Sequence, residues 1–184
     1  MRNIYIIAIL LLFFSGYIFS VQKMEHVIAD GKTVLLPLAP VDPRALLMGD
    51  YMSLSYVVNG KIYSALMDPK KERKASNRVI PDQGQAVLRI SNAPVAGAAE
   101  FVRLYNGGPL QDGEFLLSYK LRRHSVLTAA SAFYFEEGSA KRYEQARFGL
   151  FKVADDGKTL LINLCDSQGR PIEYEKATEK KVQP

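Results

Sequence analysis

The sequence predicts a mainly β protein, an antiparallel β-sandwich or partly open barrel with one short helix, preceded by an N-terminal transmembrane helix. Two observations support this fold class. Short apolar runs, several alternating with polar residues, recur at a spacing of roughly eight to twelve residues and are separated by turn signals. One long apolar segment lies ahead of them, near the N-terminus. The 184 residues, less this segment, have the length of a single domain with one core.

The N-terminal segment has the length of a short membrane span. Residues 4–19 are apolar except for Ser15 and Gly16, and extension to Val21 gives about 18 residues, or roughly 27 Å of helix. Arg2 supplies positive charge ahead of the span, which keeps the N-terminus in the cytoplasm and places the remainder outside. A cleaved signal peptide is the alternative, but bulky residues stand where cleavage requires small ones. We therefore expect an uncleaved anchor.

The anchor sets the expected domain boundaries. We predict an anchor over residues 1–21, a connector over residues 22–32, an extracytoplasmic β-domain over residues 33–172 and a flexible charged tail over residues 173–184. The formal net charge of +5 is too modest for a nucleic-acid-binding surface, so no nucleic-acid partner is expected. Cys165, the single cysteine, ends an apolar run, which predicts a buried strand residue and no internal disulfide.

A first β-hairpin is predicted over residues 51–67. Residues 51–58 and 61–67 form its strands, and Asn59-Gly60 is a two-residue turn that favours type I′ geometry. Because side chains alternate between the two faces of a strand, one face is predicted to be buried and the other, which carries the serines, to be exposed. The predicted buried face consists of Met52, Leu54, Tyr56, Val58, Lys61, Tyr63, Ala65 and Met67.

Further strands are predicted from apolar runs between turn signals. They cover residues 33–38, 86–90, 100–105, 114–121, 132–135, 148–153 and 159–165. Pro37 favours an edge position or a turn for the first of them, because proline has no N–H to donate to a central ladder. The last two form a second hairpin, in which Gly157 supplies the positive φ that the turn needs.

The strand over residues 114–121 alternates cleanly, which predicts Phe115, Leu117, Tyr119 and Leu121 on the core face and Glu114 on the other. One helix is predicted outside the anchor, over residues 140–146, with Ser139 as its N-cap and Tyr143 directed inward.

A loop over residues 68–82 carries five basic and three acidic residues. A hydrated loop and a contact with anionic lipid headgroups are the two interpretations of this composition. We favour the hydrated loop.

The most specific motif covers residues 48–56, which resemble the signature that names the bacterial GDYXXLXY family. The residues at its named positions are Gly49, Asp50, Tyr51, Leu54 and Tyr56. Residues 40–44 and 134–138 resemble further segments of the family. The resemblance implies a single-pass protein of the bacterial cytoplasmic (inner) membrane with a periplasmic C-terminal domain. It also implies another envelope membrane protein as partner, because family members are often encoded beside a multi-spanning membrane protein.

The residues of the motif have a structural interpretation. Gly-Asp ahead of an alternating apolar run is turn chemistry followed by a strand, so Leu54 and Tyr56 are predicted to be core residues.

A candidate polar cluster surrounds the segments that resemble the family. It consists of Asp42, Arg44, Asp50, Tyr51, Glu137 and Arg147. One interpretation is a polar cleft for an anionic or peptide-like ligand. The other, which we favour, is an internal salt-bridge cluster in which Arg44 pairs with Asp50 or Glu137, because charge clusters are only probabilistic markers of sites.

Local catalytic motifs are missing from the sequence. It contains no His-Glu-x-x-His, Gly-x-Ser-x-Gly, phosphate-binding loop or Ser-x-x-Lys. His26 and His124 are interpreted as surface residues, and Asp155-Asp156-Gly157 lacks the carboxylate spacing of a calcium loop, so we expect neither a metal nor a cofactor.

The sequence therefore predicts a membrane-anchored extracytoplasmic β-domain that acts as a binding or accessory partner of another envelope membrane protein. A non-enzymatic role is favoured. The alternative is an envelope hydrolase or ligand-processing enzyme that uses carboxylates near Asp50 and Glu137, because paired carboxylates need no local motif.

Overall fold

The computed structural model describes residues 2–40, 51–68, 80–91 and 95–173. Residues 69–79 of the predicted basic loop and residues 174–184 of the predicted tail lie outside these ranges. The helices are α1 (Arg2–Asp30), α2 (Val57–Leu66) and α3 (Ala140–Tyr143). The strands are β1 (Lys32–Pro37), β2 (Tyr51–Ser53), β3 (Gln83–Ser91), β4 (Ala98–Leu104), β5 (Glu114–Arg122), β6 (Ser125–Leu127), β7 (Ala132–Tyr134), β8 (Phe148–Val153) and β9 (Thr159–Cys165).

One seven-stranded sheet dominates the domain. Its strand order is β6-β5-β3-β4-β1-β8-β9, while β2 and β7 pair separately as a two-stranded ribbon. Neighbouring strands are antiparallel except β1 and β4, which are parallel. The sheet curls until the β8–β9 turn reaches β5 and β3, where Ser118 N donates to Gly157 O and Gln85 Nε2 donates to Asp156 O, both over 2.9 Å. The predicted mainly β, partly open barrel is confirmed.

The concave side of this half-barrel holds the main core. Alternate side chains of β1, β3, β5 and β8 enter it, and Leu36, Leu88 and Phe151 are completely buried there. The core face predicted for β5 is confirmed, with Phe115, Leu117 and Tyr119 buried and Leu121 packed against them. Glu114, predicted on the opposite and exposed face, is nevertheless buried.

A smaller apolar cluster lies apart from the main core. Leu35, Ala98, Phe148 and Cys165 form it. Because successive side chains of β1 point to opposite faces of the sheet, Leu35 points away from Val34 and Leu36, which enter the main core. The prediction that Cys165 is a buried strand residue is confirmed.

The first predicted hairpin is wrong after residue 56. The chain enters α2 instead, and Val58, Ile62 and Leu66 are buried at a spacing of four residues. A two-residue turn at Asn59-Gly60 would have placed Lys61 in the core and Ile62 on the opposite face. The helix brings Ile62 and Leu66 into the same core as Tyr56 and leaves Lys61 exposed. Because α2 packs against β1, β4 and β6, it covers the open side of the half-barrel.

The edge position suggested by Pro37 is also wrong, since β1 lies between β4 and β8. N–H groups alternate in direction along a strand. Leu35 N donates to Gly97 O toward β4 over 2.8 Å, and Leu38 N donates to Arg147 O toward β8 over 2.9 Å. The nitrogen of Pro37 therefore faces β4 at a point where the short β1–β4 pairing has already ended. The missing donor removes no bond from the ladder.

The second predicted hairpin is confirmed as β8 and β9, and Gly157 in its turn has a φ of +81°. The short helix α3 ends earlier than predicted. Tyr143 is buried as predicted, with its ring 5.0 Å from Phe133 and 5.3 Å from Phe135. Ser139 does not cap α3 through its side chain, because its backbone is already helical rather than extended.

Helix α1 continues through most of the predicted connector. Between Tyr5 and Asp30 it is long and apolar enough to cross a membrane, and none of its apolar window is buried. At its end, a Cβ on Gly31 would collide with Val27 O and lie 3.2 Å from Val153 O. Lys152 Nζ donates to Gly31 O over 3.2 Å. These contacts define how α1 joins the barrel.

Candidate functional site

The β2–β7 ribbon brings together two of the segments that resemble the family. Tyr51 pairs with Tyr134 across the ribbon, and their rings lie 5.6 Å apart. Tyr51 is half-buried, whereas the Tyr134 side chain is 75% exposed. Segments 83 residues apart in the chain thus form one surface, with the Tyr51–Tyr134 pair at one end of the ribbon.

The remaining named residues of the motif are structural. Leu54 and Tyr56 are buried, which confirms the prediction that they belong to the core. Tyr56 Oη donates to Ala130 O over 2.7 Å, and its ring meets Phe151 edge to face at 5.6 Å. Leu54 N donates to Ser131 O over 2.9 Å. Burial raises the pKa of Tyr56, so its hydroxyl stays a hydrogen-bond donor.

The candidate polar cluster is only partly described. Asp42, Arg44 and Asp50 lie outside the described residues, so their pairing stays a prediction. Glu137 and Arg147 are both exposed. Arg147 Nη1 donates to Ala146 O over 2.8 Å and to Glu144 O over 3.1 Å. Among the described residues, Glu137 and Arg147 do not form an ion pair with each other.

Sequence reasoning missed a second cluster, centred on Glu114. Glu114 Oε1 accepts from Arg89 Nη2 over 3.2 Å, and Glu114 Oε2 accepts from Arg103 Nη1 over 3.3 Å and from Gln111 N over 3.0 Å. The Gln111 N–H and then the two guanidinium groups lower the pKa of Glu114. Arg103 Nη2 also donates to Pro109 O over 3.1 Å. The carboxylate therefore ties β3, β4 and β5 to the loop before β5.

This cluster has no local signal in the sequence. Arg89 and Arg103 are single charges on separate strands, and the alternation of β5 predicted an exposed Glu114. Only the pairing of β3 with both β4 and β5 brings the three side chains together. All ion-pairing groups are satisfied within the cluster, which favours a structural role.

A cleft of about 910 Å³ lies between α1 and the end of the half-barrel. Ser20, Met24 and Val27 form the α1 side, at a spacing that places them on one helical face. The barrel side is contributed by β3, β5, the end of β6 and the residues after it, the β8–β9 turn and the start of β9. Its larger side chains are Tyr119, Lys120, Leu127, Lys158 and Leu160.

A basic turn adjoins this cleft. Arg122, Arg123 and His124 are exposed at the β5–β6 turn, where Arg123 adopts a φ of +51°. Ser125 Oγ donates to Arg122 O over 3.1 Å and closes the turn. Leu127 lines both the cleft and the hollow beside the basic turn, so the turn lies next to the cleft.

In the part of the chain that the structure describes, no group of three His, Cys, Asp or Glu side chains is placed to hold a metal ion. Burial raises the pKa of Cys165 to about 11, so its thiol is protonated at neutral pH and is a poor nucleophile.

These features define a class of protein in which a long apolar helix carries a curled β-domain. The family model described as GDYXXLXY protein matches residues 13–164. The chain belongs to the GDYXXLXY family. No curated protein and no solved structure matches it.

Proposed function

We propose that this protein is held in the bacterial cytoplasmic membrane by α1 and that its β-domain lies in the periplasm. There it acts as a binding or accessory partner of another envelope membrane protein. The single observation that carries this proposal is α1, whose large apolar side chains are exposed over a length that matches the hydrocarbon core. Arg2 precedes the span, which favours a cytoplasmic N-terminus.

The β2–β7 ribbon is the surface we assign to the partner. The Tyr134 ring packs against Tyr51 at an interplanar angle of 39° but remains largely exposed, and aromatic residues are enriched among the residues that dominate binding energy. Two family segments meet at this surface, whereas Leu54 and Tyr56 are used in the core. Within the motif, Tyr51 therefore belongs to the accessible ribbon, whereas Leu54 and Tyr56 belong to the core.

The anchor is tested in cells that produce the full chain. We expect N-terminal sequencing to find residues 1–21 retained, the protein to stay in the membrane after alkaline carbonate extraction, and protease added to the periplasm to digest the β-domain. A mature chain that begins near Val21 in the soluble exported fraction contradicts the anchor.

The partner is tested by co-purification from gently solubilised membranes, with Tyr134→Ala compared to Leu110→Ala. Leu110 is also exposed, at 41%, but lies outside the ribbon. We expect the wild type and Leu110→Ala to retain a membrane protein that Tyr134→Ala loses. If both variants retain the membrane protein equally, Tyr134 is not part of the interface and the assignment of the ribbon is wrong. Retention of no membrane protein by the wild type contradicts the accessory role.

Glu137→Gln distinguishes this function from the hydrolase alternative. Because Glu137 is exposed, the variant is expected to keep the thermal midpoint of the wild type. A binding domain then keeps its partner and complements a deletion strain. Loss of complementation with an unchanged thermal midpoint and unchanged co-purification favours the hydrolase.

A further inference from the structure

We propose that the cleft between α1 and the half-barrel binds one anionic glycerophospholipid of the membrane that holds the protein. This inference rests on the proposed function, because α1 brings the cleft to the bilayer. The acyl region of the lipid occupies the apolar part of the cleft, and its phosphate lies against the basic β5–β6 turn.

The position of the cleft is the first argument. The predicted span ends at Val21, and Ser20 already lines the cleft, followed by Met24 and Val27 one and two turns later. The cleft therefore begins where α1 leaves the hydrocarbon and enters the headgroup region. A lipid reaches it by a short displacement along α1, without crossing water.

Contacts at the α1 junction hold the α1 wall of the cleft in place. Gly31 allows α1 to approach Val153, and Lys152 holds the Gly31 carbonyl. On the barrel side, Ser118 N donates to Gly157 O, which holds the β8–β9 turn against β5. Both walls are therefore fixed by contacts that do not involve the ligand.

The lining is suited to an acyl chain. Met24 and Val27 face the barrel from α1, and Leu127 and Leu160 face α1 from the barrel. Leu127 is 37% exposed, and Ala129 extends the apolar wall. A volume of about 910 Å³ lies within the usual range for small-molecule sites, roughly 300 to 1,000 Å³.

The charge around the cleft determines which lipid is favoured. Lys158 pairs with Asp156 over 3.0 Å, so these two lining groups largely offset each other. Lys120 adds a positive charge, and the adjoining turn adds Arg122 and Arg123. Among these side chains of β5, the β5–β6 turn and the β8–β9 turn, basic groups outnumber acidic ones, which matches a lipid with a net negative headgroup.

The test uses the full chain in nanodiscs with a photoactivatable phosphatidylglycerol, competed by unlabelled phosphatidylglycerol or phosphatidylcholine. Mass spectrometry locates the labelled peptides. We expect labelling within residues 118–130 and 156–160, and stronger competition by phosphatidylglycerol than by phosphatidylcholine.

Charge variants test the phosphate contact. Arg122→Gln removes one charge, and Arg123→Asn removes another while keeping a residue that tolerates positive φ. We expect phosphatidylglycerol to lose about fivefold in apparent affinity for each charge removed. Lys141→Gln, an exposed charge on α3, is the matched control and is expected to change nothing.

Two variants of β9 test the apolar cleft. Leu160→Glu introduces a carboxylate into the cleft, while Ile162→Glu introduces the same charge on the same strand at an exposed residue that does not line the cleft. We expect Leu160→Glu to abolish labelling of residues 118–130 and Ile162→Glu to retain it. Circular dichroism of both variants establishes that each is folded.

Labelling confined to residues 5–19, equal competition by the two lipids, or equal behaviour of Leu160→Glu and Ile162→Glu overturns the lipid site. With α1 retained in the bilayer, these outcomes leave the anchor intact. Extraction of the chain from membranes by carbonate would contradict both proposals, because the cleft would then not be held at the bilayer.

Discussion

Residues 51–66 and residues 148–165 both contain apolar runs interrupted by a glycine-containing turn sequence, yet they adopt different structures. The first forms the short strand β2 and then α2, and the second forms the hairpin β8–β9. Gly60 lies inside α2, and nothing lies within 4 Å of the position that a Cβ would occupy. Gly157 has a φ of +81°, and its Cβ would lie 3.0 Å from Ser118 Oγ.

The difference shows that a turn sequence permits a hairpin without requiring one. β8 pairs with β1 along its whole length, so β9 extends an existing sheet. Among the described strands, none pairs with residues 57–66, which face the apolar core of the half-barrel. A helix satisfies its own backbone hydrogen bonds while covering that surface, and Thr128 Oγ1 donates to Asn59 Oδ1 over 2.6 Å to hold its first turn.

The largest expected effect tests the helical assignment of residues 57–66. Ile62→Ala is expected to lower stability by about 2 to 5 kcal/mol, as are Leu54→Ala and Tyr56→Ala, because all three side chains are buried in the same core. Urea unfolding of the full chain in detergent measures this. Ser53→Ala and Ser64→Ala are exposed controls, expected to change stability by less than about 0.5 kcal/mol. A larger effect for Ser64→Ala than for Ile62→Ala would contradict the helix.

The turn of the second hairpin gives the next largest effect. Gly157→Ala is expected to lower stability by more than about 1 kcal/mol, because it combines positive φ with a close approach to Ser118. Gly138→Ala is the matched control, since Gly138 has the same φ of +81° but open space around it. The difference between the two thermal midpoints measures the close approach alone. Equal midpoints would show that the contact between the turn and β5 contributes nothing.

Gly60→Ala distinguishes a helix from a hairpin at this position by the sign of its effect on stability. In the interior of α2, alanine is expected to raise stability by up to about 1 kcal/mol, because glycine is the poorer helix former and no atom obstructs the new Cβ. A type I′ hairpin would lose stability with the same substitution, since it needs positive φ at this position. A lowered urea midpoint would contradict the helix and favour the hairpin predicted from the sequence.

The smallest expected effect is a loss of local stability near Asp166 at acidic pH. Asp166, after β9, accepts from Arg170 N and Gln168 N, and these bonds and the Arg170 guanidinium lower its pKa. A lowered pKa stabilises the fold above the ordinary aspartate value of about 3.9, and this contribution is lost as pH falls through the folded-state pKa. Residues 51–66 contain no carboxylate. We therefore expect hydrogen exchange to show acid-dependent opening near Asp166 that Asp166→Asn abolishes, with no such dependence in α2.

The candidate sites differ in how far the sequence could predict them. The burial of Leu54 and Tyr56 followed from period-2 alternation, which held up to residue 56. The Glu114 cluster was not predictable, because it depends on which strands pair rather than on any local pattern. The cleft could not be predicted either, since α1 and the β8–β9 turn meet only after the sheet has curled.

The family could be predicted from its motif, and the apolar helix, the β class, most strand positions and the second hairpin from local periodicity and turn chemistry. The central position of β1, the helix at residues 57–66 and the burial of Glu114 depend on contacts between distant segments. In each case the outcome depends on which surface lies opposite. Pro37 is tolerated where the β1–β4 pairing has ended, Ile62 is buried because the half-barrel is open above it, and Glu114 is buried because two arginines on other strands neutralise it.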